Sequence, residues 1–220
     1  MNSNKAVAPV PAKTIERLVI YRTLLEGMQA QHKTQVFSNE IAGIVGNTAA
    51  QVRRDLMAVG YSGNTRNGYR TEDLLNAIQA LLQTPGGVAM AIAGIGNLGR
   101  ALLGYFAPLH PRFRIVAAFD NDENKINRLI CGYRVHHIRE MEAELARTPA
   151  QLGIITVPPD QAQRIADAFV KANVKGLVNF AAVPLRAAPG VRIENMHITA
   201  TLEKVAYFCL ANTQGEQAWV

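Results

Sequence analysis

The chain has 220 residues, 49% of them hydrophobic and 18% charged, a composition typical of a soluble globular protein with one large or two small domains. Its two cysteines exclude a disulfide framework, and the lack of a membrane-length apolar stretch or an apolar signal core predicts a cytoplasmic protein. The net charge of +6, with 5 basic against 2 acidic residues over 31–70, is compatible with nucleic acid as a partner or with a solvated basic face.

The first part of the chain, after a loose tail over residues 1–12, predicts a small helical domain over 13–84. Two short helices joined by a turn at Gly46-Asn47 form a helix-turn-helix. Turn-forming residues alternate with aromatic and basic ones over 61–70, which predicts a β-hairpin wing. Helices are expected to begin at capping hydroxyl residues and to end near glycines such as Gly27. The predicted caps are Thr14, Ser38, Thr48 and Thr71.

The second short helix, 49–59, carries side chains suited to DNA. Its first turns follow the cap Thr48, and this is the part of a recognition helix that reaches base edges and phosphates. A solvated arginine pair is the alternative interpretation, which the helix-turn-helix and the wing make less favourable. The predicted DNA-binding residues are Lys33, Ser38, Thr48, Gln51, Arg53, Arg54, Arg66 and Tyr69.

From residue 85 to 196, strand and helix patterns alternate, which predicts an α/β domain with a parallel, doubly wound sheet. A strongly apolar final helix is predicted over 199–211, and it needs a surface to cover its apolar face. The predicted strands are 88–93, 113–119, 152–157, 176–180 and a weaker one near 191–195, and the predicted helices are 97–107, 138–146 and 160–172.

The most informative motif is Gly94-Ile95-Gly96-Asn97-Leu98-Gly99, which lies between a predicted strand and a predicted helix. In this context a glycine turn binds a dinucleotide pyrophosphate. Asp120, 21 residues after Gly99, ends the next strand, where a carboxylate can bond the ribose hydroxyls of NAD(H) and repel the 2′-phosphate of NADP(H). Later strand ends border the same crevice, and their predicted ligand residues are Thr156, Val157, Pro158, Asn179 and Phe180.

A catalytic group beside the nucleotide is harder to find. The histidines are dispersed, and the 25 residues after 195 are too few for a substrate domain, so we expect no enzyme activity and no catalytic or metal-binding residues. Two alternatives stay open: a small NAD-dependent oxidoreductase whose N-terminal domain serves for dimerisation, and a CoA- or nucleotide-binding subunit with the same turn.

The chain resembles the Rex family of bacterial redox-sensing transcriptional repressors from about Ala12 to Asn212. The resemblance implies an N-terminal winged helix, a C-terminal Rossmann domain and a homodimer in which the final helix, within 197–220, is exchanged between subunits. It also implies repression of fermentation and respiration genes at a low NADH/NAD⁺ ratio, with NADH binding releasing operator DNA. The segments that carry the resemblance are 51–56, 94–99, Phe119-Asp120 with Asp122, 156–158 and 179–181.

The resemblance also implies a switch, from which this sequence departs. Arg17 and Tyr105 match the partners of an aspartate that family members commonly place near the start of the exchanged helix, and Tyr105 is also expected near the nicotinamide. His197 stands in the place of that aspartate. A neutral histidine supplies no anion and a protonated one repels Arg17, so we expect a differently wired switch or one that also responds to pH. In the wing, the family usually has its basic residue one place earlier than Arg66, followed by glycine.

Overall fold

The structure is a computed structural model that describes residues 10–61, 67–83, 86–109, 112–186 and 188–216. The chain divides into two compact units, Met1–Pro85 and Gly86–Val220. The boundary falls within the sequence Pro85-Gly86-Gly87, and both of its glycines have positive φ.

The N-terminal unit is helical, with a small sheet. Its core forms because apolar residues recur on one face of each helix, as Leu18, Tyr21, Leu25 and Met28 do in the first. Among the described residues its elements are α1 (Ala12–Ala30), β1 (Gln35–Val36), α2 (Ser38–Val45), α3 (Ala49–Ala58), β2 (Tyr69–Arg70) and α4 (Thr71–Leu82).

The first helix is longer than predicted. It begins at Ala12, before the expected cap Thr14, and continues past Gly27 to Ala30. Burial of Met28 extends the apolar face, and this outweighs the cost of about 1 kcal/mol for a glycine inside a helix. Thr14 therefore lies in the first turn, where its hydroxyl donates to Asp55 instead of capping the helix.

The helix-turn-helix is confirmed, with small differences at the helix starts. The Thr48 hydroxyl accepts the N–H of Gln51 at 3.2 Å and caps α3 as predicted, and Gly46 ends α2 in the left-handed region at φ 66°. Ser38 and Thr71 are the first helical residues of α2 and α4 and are not caps. A hydroxyl residue is favoured both at the N-cap and at the first helical position, so the sequence pattern does not distinguish a cap from a first helical residue.

The strand pairing differs from the local hairpin that the sequence predicts for the wing. β2 pairs antiparallel with β1, with Val36 opposite Tyr69, so the sheet joins the segment before α2 to the segment before α4. Residues 62–66 lie outside the described part of the chain, and the predicted contact of Arg66 lies there with them.

The second unit has the predicted α/β architecture. Its described strands form one sheet in the order β5-β6-β4-β3-β7-β8-β9, in which every pair is parallel except β5–β6. Hydrophobic residues are buried on both faces of this sheet. Its elements are β3 (Val88–Ala93), α5 (Asn97–Leu109), β4 (Phe113–Asp120), β5 (Leu129–Ile130), β6 (Tyr133–His137), a 3₁₀ turn (Ile138–Glu140), α6 (Met141–Arg147), β7 (Leu152–Ile155), α7 (Pro159–Lys171), β8 (Gly176–Asn179), β9 (Arg192–Asn195) and α8 (Ile198–Glu216).

The centre of the sheet creates a crevice. β3 lies between β4 and β7, so the chain order reverses at this strand. In open parallel sheets, ligands bind outside the carboxyl ends of the strands at such a reversal. The glycine turn leaves β3 at this point, and Asp120 ends β4 beside it.

The last helix, α8, exposes the apolar side chains that the sequence singled out. Leu202 is 65% exposed and Phe208 is 59% exposed, with Val205 and Leu210 similarly open. An apolar surface of this kind on a helix is typical of an interaction site.

Candidate nucleotide cleft and DNA-binding helix

The glycine turn has the close contacts that its three glycines imply. Gly94 has φ 97°, and a Cβ there would lie 2.6 Å from the carbonyl oxygen of Thr156. A Cβ at Gly99 would overlap the carbonyl oxygen of Gly94. A Cβ at Gly96 would meet nothing within 4 Å, so the backbone there faces open space. The first and third glycines thus allow the turn to pack, and the second leaves room for a ligand above α5.

The tip of β7 supports the turn from the other side. The Thr156 hydroxyl donates to the carbonyl oxygen of Gly94 at 2.7 Å and lies 3.0 Å from that of Ala93. The N–H of Thr156 donates to Ala93 at 2.9 Å, continuing the β3–β7 pairing. Thr156 therefore contributes to the cleft by positioning the turn, and its hydroxyl is already used in doing so.

Asp120 has the same supporting role from the β4 side. One carboxylate oxygen accepts the N–H of Ile95 at 2.6 Å and the Lys125 ammonium at 3.1 Å, and the other accepts the N–H groups of Asn121 and Asp122. Burial by itself raises the pKa of Asp120, but these N–H groups and Lys125 outweigh it, so the carboxyl stays ionised. The predicted ribose ligand is thus also a clamp on the glycine turn.

A cleft of about 500 Å³ lies over the turn and brings together six of the predicted ligand residues. Five more residues line it that the sequence analysis did not assign as ligands. Lys125 and Gln161 have no motif of their own, and only their distance from Asp120 and Pro158 along the chain could have suggested them. The predicted lining residues are Gly94, Gly96, Asp120, Thr156, Val157 and Pro158, and the additional ones are Asn121, Asp122, Lys125, Ile138 and Gln161.

Other predicted ligand residues lie outside this lining. Asn179 is fully buried, and its amide holds neighbouring chain segments: Nδ2 donates to the Val183 carbonyl and to Asn195 Oδ1, and Oδ1 accepts the N–H of Ala181. Phe180 packs against the core cluster beside β3. Tyr105 lies on α5 with its ring edge-on to Phe106. The structure therefore gives Asn179 a positioning role at the end of β8.

The geometry fits a dinucleotide. Gly96, Asn97 and Leu98 are exposed at the N-terminus of α5, whose first N–H groups and helix dipole favour a phosphate. Two carboxylates, Asp120 and Asp122, border the far side of the cleft and disfavour a second anion there. A pyrophosphate over the turn and a neutral diol near the carboxylates is the arrangement that NAD(H) provides.

In the N-terminal unit, α3 presents its basic residues to solvent. Arg53 and Arg54 are exposed, and Arg53 Nη1 donates to the Ser38 hydroxyl at 3.1 Å. This bond joins the first residue of α2 to α3, so two predicted DNA-binding residues, Ser38 and Arg53, are brought together.

Asp55 lies at the buried side of α3, at the centre of a polar cluster. Its carboxylate is 2% exposed and receives Arg17 Nε and Nη2, both at 2.6 Å, the Tyr21 hydroxyl at 3.0 Å and Gln51 Nε2 at 2.9 Å. Burial by itself raises the pKa of Asp55, but the hydrogen bonds from Arg17, Gln51 and Tyr21 outweigh it and hold the pKa below its ordinary value. The predicted switch residue Arg17 is therefore paired within its own unit.

This ion pair predicts an acid sensitivity of the N-terminal unit. Folding lowers the pKa of Asp55, so its stabilisation is complete above the unfolded value of about 3.9 and is lost as the pH falls through the lower folded value. We expect the free energy of unfolding to fall more steeply with acidification in the wild type than in Asp55→Asn. Urea denaturation from about pH 7 down to about pH 3 measures both slopes, and equal slopes would contradict the assignment.

Two more predicted DNA-binding residues have partners inside the unit. Lys33 forms an ion pair with Glu40, so its charge is partly neutralised. Tyr69 is 8% exposed and belongs to the core, with its ring 6.0 Å from that of Tyr61. The structure gives Tyr69 a packing role where a phosphate contact was predicted, because β2 turns this side chain inward.

His197, the third predicted switch residue, makes local contacts at the start of α8. His197 is exposed just before α8, where its carbonyl accepts the N–H and the hydroxyl of Thr201. Among the described residues, no three metal-binding side chains lie together. Within the same part of the chain, every helix is too short or too polar to cross a bilayer.

Each of the two units matches a known protein family. Residues 9–56 match the family described as "Putative DNA-binding protein N-terminus", and residues 88–183 match the family described as CoA binding domain. A redox-sensing transcriptional repressor Rex from Carboxydothermus hydrogenoformans is 37% identical over 198 residues, which are 90% of this chain and 95% of the relative.

Solved structures agree over nearly the whole chain. The crystal structure of RSP in complex with β-NAD⁺ and operator DNA superposes with a TM-score of 0.86 at 29% identity, covering 96% of this chain and 97% of RSP. The structure of RSP in complex with β-NADH gives 0.84 at 29% identity, covering 95% and 98%. The chain belongs to the Rex family of redox-sensing transcriptional repressors.

Proposed function

We propose that the protein represses transcription by binding operator DNA through α3 and that NADH, bound in the cleft of the second unit, releases it. The observation that carries this proposal is the match of nearly the whole chain to a Rex-family repressor solved with NAD⁺ and operator DNA and with NADH. The protein is thus a regulator that binds its nucleotide without transforming it, and it acts where bacterial DNA lies, in the cytoplasm.

The residues of the cleft support the nucleotide part of the proposal. Gly94 and Gly99 allow the tight turn, the open space at Gly96 leaves room for the pyrophosphate, and Asp120 and Asp122 line the part of the cleft where we expect the adenosine ribose. NADH can shift the protein only if it binds the DNA-released conformation more tightly than the DNA-bound one. NAD⁺ differs by a positive charge on its nicotinamide ring, so discrimination must occur beside that ring.

The dimer follows from the two-fold symmetry of operators and from α8. Winged-helix repressors bind two half-sites as dimers, which places one α3 in each half-site. We infer that the partner subunit covers the apolar residues of α8, including Leu202, Val205 and Phe208, which are exposed in the single chain. Exchange of α8 between subunits is the arrangement we expect.

The direct test measures DNA binding in the presence of the reduced and of the oxidised nucleotide. Fluorescence anisotropy with a palindromic duplex, selected from a randomised pool by the full-length protein, is followed while NADH or NAD⁺ is added. We expect NADH to dissociate the complex at concentrations at which NAD⁺ does not. Failure to select any duplex, together with substrate-dependent NADH oxidation, would favour an oxidoreductase instead.

Arg54→Ala should weaken operator binding and reduce the salt dependence, because an exposed arginine on α3 is placed to contact a phosphate or a base edge. Loss of one phosphate contact lowers the slope of log K against log salt by about 1. Arg53→Ala has the same expectation. The matched control is Arg147→Ala, which removes the same charge from an exposed site in the second unit. Full binding by both α3 variants would exclude α3 as the recognition helix.

A further inference from the structure

Gln51, in the first turn of α3, has its side-chain amide held in one orientation. Its Nε2 donates to Asp55 Oδ1 at 2.9 Å, one helical turn further along α3. An ionised carboxylate only accepts hydrogen bonds, so the amide must turn its NH₂ group, and not its oxygen, toward Asp55. The ionised acceptor therefore fixes which of the two amide orientations is present.

The Asp55 carboxylate is held by several other donors, which also keep it ionised. Arg17 approaches it with two nitrogen atoms at 2.6 Å each, and the Tyr21 hydroxyl donates to Oδ2 at 3.0 Å. A bidentate guanidinium pair is both strong and directional. Protonation of Asp55 would leave Arg17 without its counter-ion, so the ion pair with Arg17 favours the charged carboxylate. The same carboxylate is the acceptor that orients Gln51.

The held amide has one face left for DNA. With one Nε2 hydrogen directed to Asp55, Gln51 still offers its carbonyl oxygen and the second hydrogen, and the residue is partly exposed next to the Thr48 cap. Adenine presents an N6 donor and an N7 acceptor in the major groove, which match this pair. Guanine presents two acceptors, O6 and N7, so the Gln51 oxygen would face O6 without a proton between them.

We propose that Asp55 sets the base preference of α3 by fixing the Gln51 amide in the orientation that accepts adenine and rejects guanine at one position of each operator half-site. The inference rests on the proposed function, in which α3 is the recognition helix. Gln51 reads the base, and Asp55 is a positioning residue that does not touch DNA.

The test compares base preferences of full-length variants. Every base pair of the selected operator is substituted in turn, and dissociation constants are measured without NADH for the wild type, Gln51→Ala, Gln51→Glu and Asp55→Asn. In the wild type we expect one position where guanine in place of adenine weakens binding roughly 5- to 150-fold, the size of one good base contact. Gln51→Ala should reduce that ratio to near one and leave the ratios at other positions unchanged.

Asp55→Asn should also relax the adenine preference, because an asparagine amide can donate to the Gln51 oxygen and allow the opposite orientation. Unchanged ratios at the other positions show that this variant still folds. If it does not fold, Gln51→Glu gives the answer: Asp55 repels the new carboxylate, which should then accept from cytosine N4 and move the preference to cytosine.

Three results would overturn the inference while leaving the repressor assignment intact. Gln51→Ala could lower affinity equally on all sequences, which is the behaviour of a phosphate contact. The adenine preference could survive in a folded Asp55→Asn protein, or survive in Gln51→Glu where Asp55→Asn does not fold. Failure of the wild type to select any duplex is the different outcome that would refute the proposed function.

Discussion

Arg17→Ala is expected to destabilise the N-terminal unit by about 3 kcal/mol, because it leaves the Asp55 carboxylate charged and buried without a counter-ion. Asp55 is 2% exposed, whereas Arg17 keeps 22% exposure, which places the cost at the lower end of the range for a broken buried pair. Denaturant unfolding of the full-length protein, followed by hydrogen exchange in α3, measures the loss and locates it.

The matched control for this substitution is Arg22→Ala on the same helix. Arg22 also has 22% exposure, but its ion pair with Glu26 spans 3.7 Å and is half open to solvent, so we expect a change of at most about 0.5 kcal/mol. Adding Asp55→Asn to Arg17→Ala should recover part of the loss, since the unpaired charge is then removed. Equal effects of Arg17→Ala and Arg22→Ala would show that the buried pair contributes nothing special.

Asp120→Ala should weaken NADH binding about tenfold or more and relax the rejection of NADPH. The alanine removes the carboxylate that would bond the adenosine ribose, and a hydrogen bond to a charged group contributes about 1.5–3 kcal/mol, equivalent to roughly 10- to 150-fold in affinity. The N–H of Ile95, a residue with no exposed surface, also loses its acceptor, which destabilises the glycine turn itself. The same change removes one of the two carboxylates that repel a 2′-phosphate, while Lys125 stays beside Asp122 at 3.4 Å. Calorimetry with NADH and NADPH separates affinity from selectivity.

Asp120→Asn and Asp122→Ala distinguish the two roles of this carboxylate. The asparagine keeps one acceptor oxygen and loses the charge, so selectivity should fall while part of the NADH affinity is retained. Asp122→Ala leaves the bond from Ile95 in place and should affect selectivity alone. DNA affinity without nucleotide should be nearly unchanged in all three variants. Unaltered affinity and selectivity in Asp120→Ala would remove Asp120 from the nucleotide site.

The parts of the fold that the sequence predicts correctly have strong local signals. Thr48 and Gly46 mark a helix start and a helix end through capping chemistry, and both are confirmed. β3 is a continuous apolar run because it is buried on both faces. The glycine turn is predictable because only glycine tolerates the contacts at Gly94 and Gly99.

The parts that the sequence does not predict lack a local signal. The sequence does not predict β6, because Val135 is its only fully buried residue and the polar residues around it hide the strand pattern. β1 has two residues and depends on β2 for its existence. Asp55 resembles any acidic residue of an exposed helix, since Arg17 and Tyr21 lie 38 and 34 positions away along the chain.

The site predictions divide in the same way. The turn residues and Asp120 follow from spacing within one strand-turn-helix unit, and of these Gly94, Gly96 and Asp120 line the cleft, whereas Asn97, Leu98 and Gly99 lie outside its lining. Lys125, Ile138 and Gln161 come from the segment after β4, the 3₁₀ turn after β6 and the start of α7, which only the sheet order brings together. Phe180 and Tyr105 lie outside the described lining of the cleft, so their predicted contact with the nucleotide stays a prediction.

The buried amide of Asn179 has a mechanical consequence. It joins the loop at the end of β8 to Asn195 at the end of β9, and the backbone carbonyl of Asn179 accepts the N–H of Met196, directly before His197 and α8. A displacement of residues 181–183 must therefore either move the base of α8 with it or break one of these bonds. Asn179 thus couples the end of β8 mechanically to the start of α8, the helix that we expect to pack against the partner subunit.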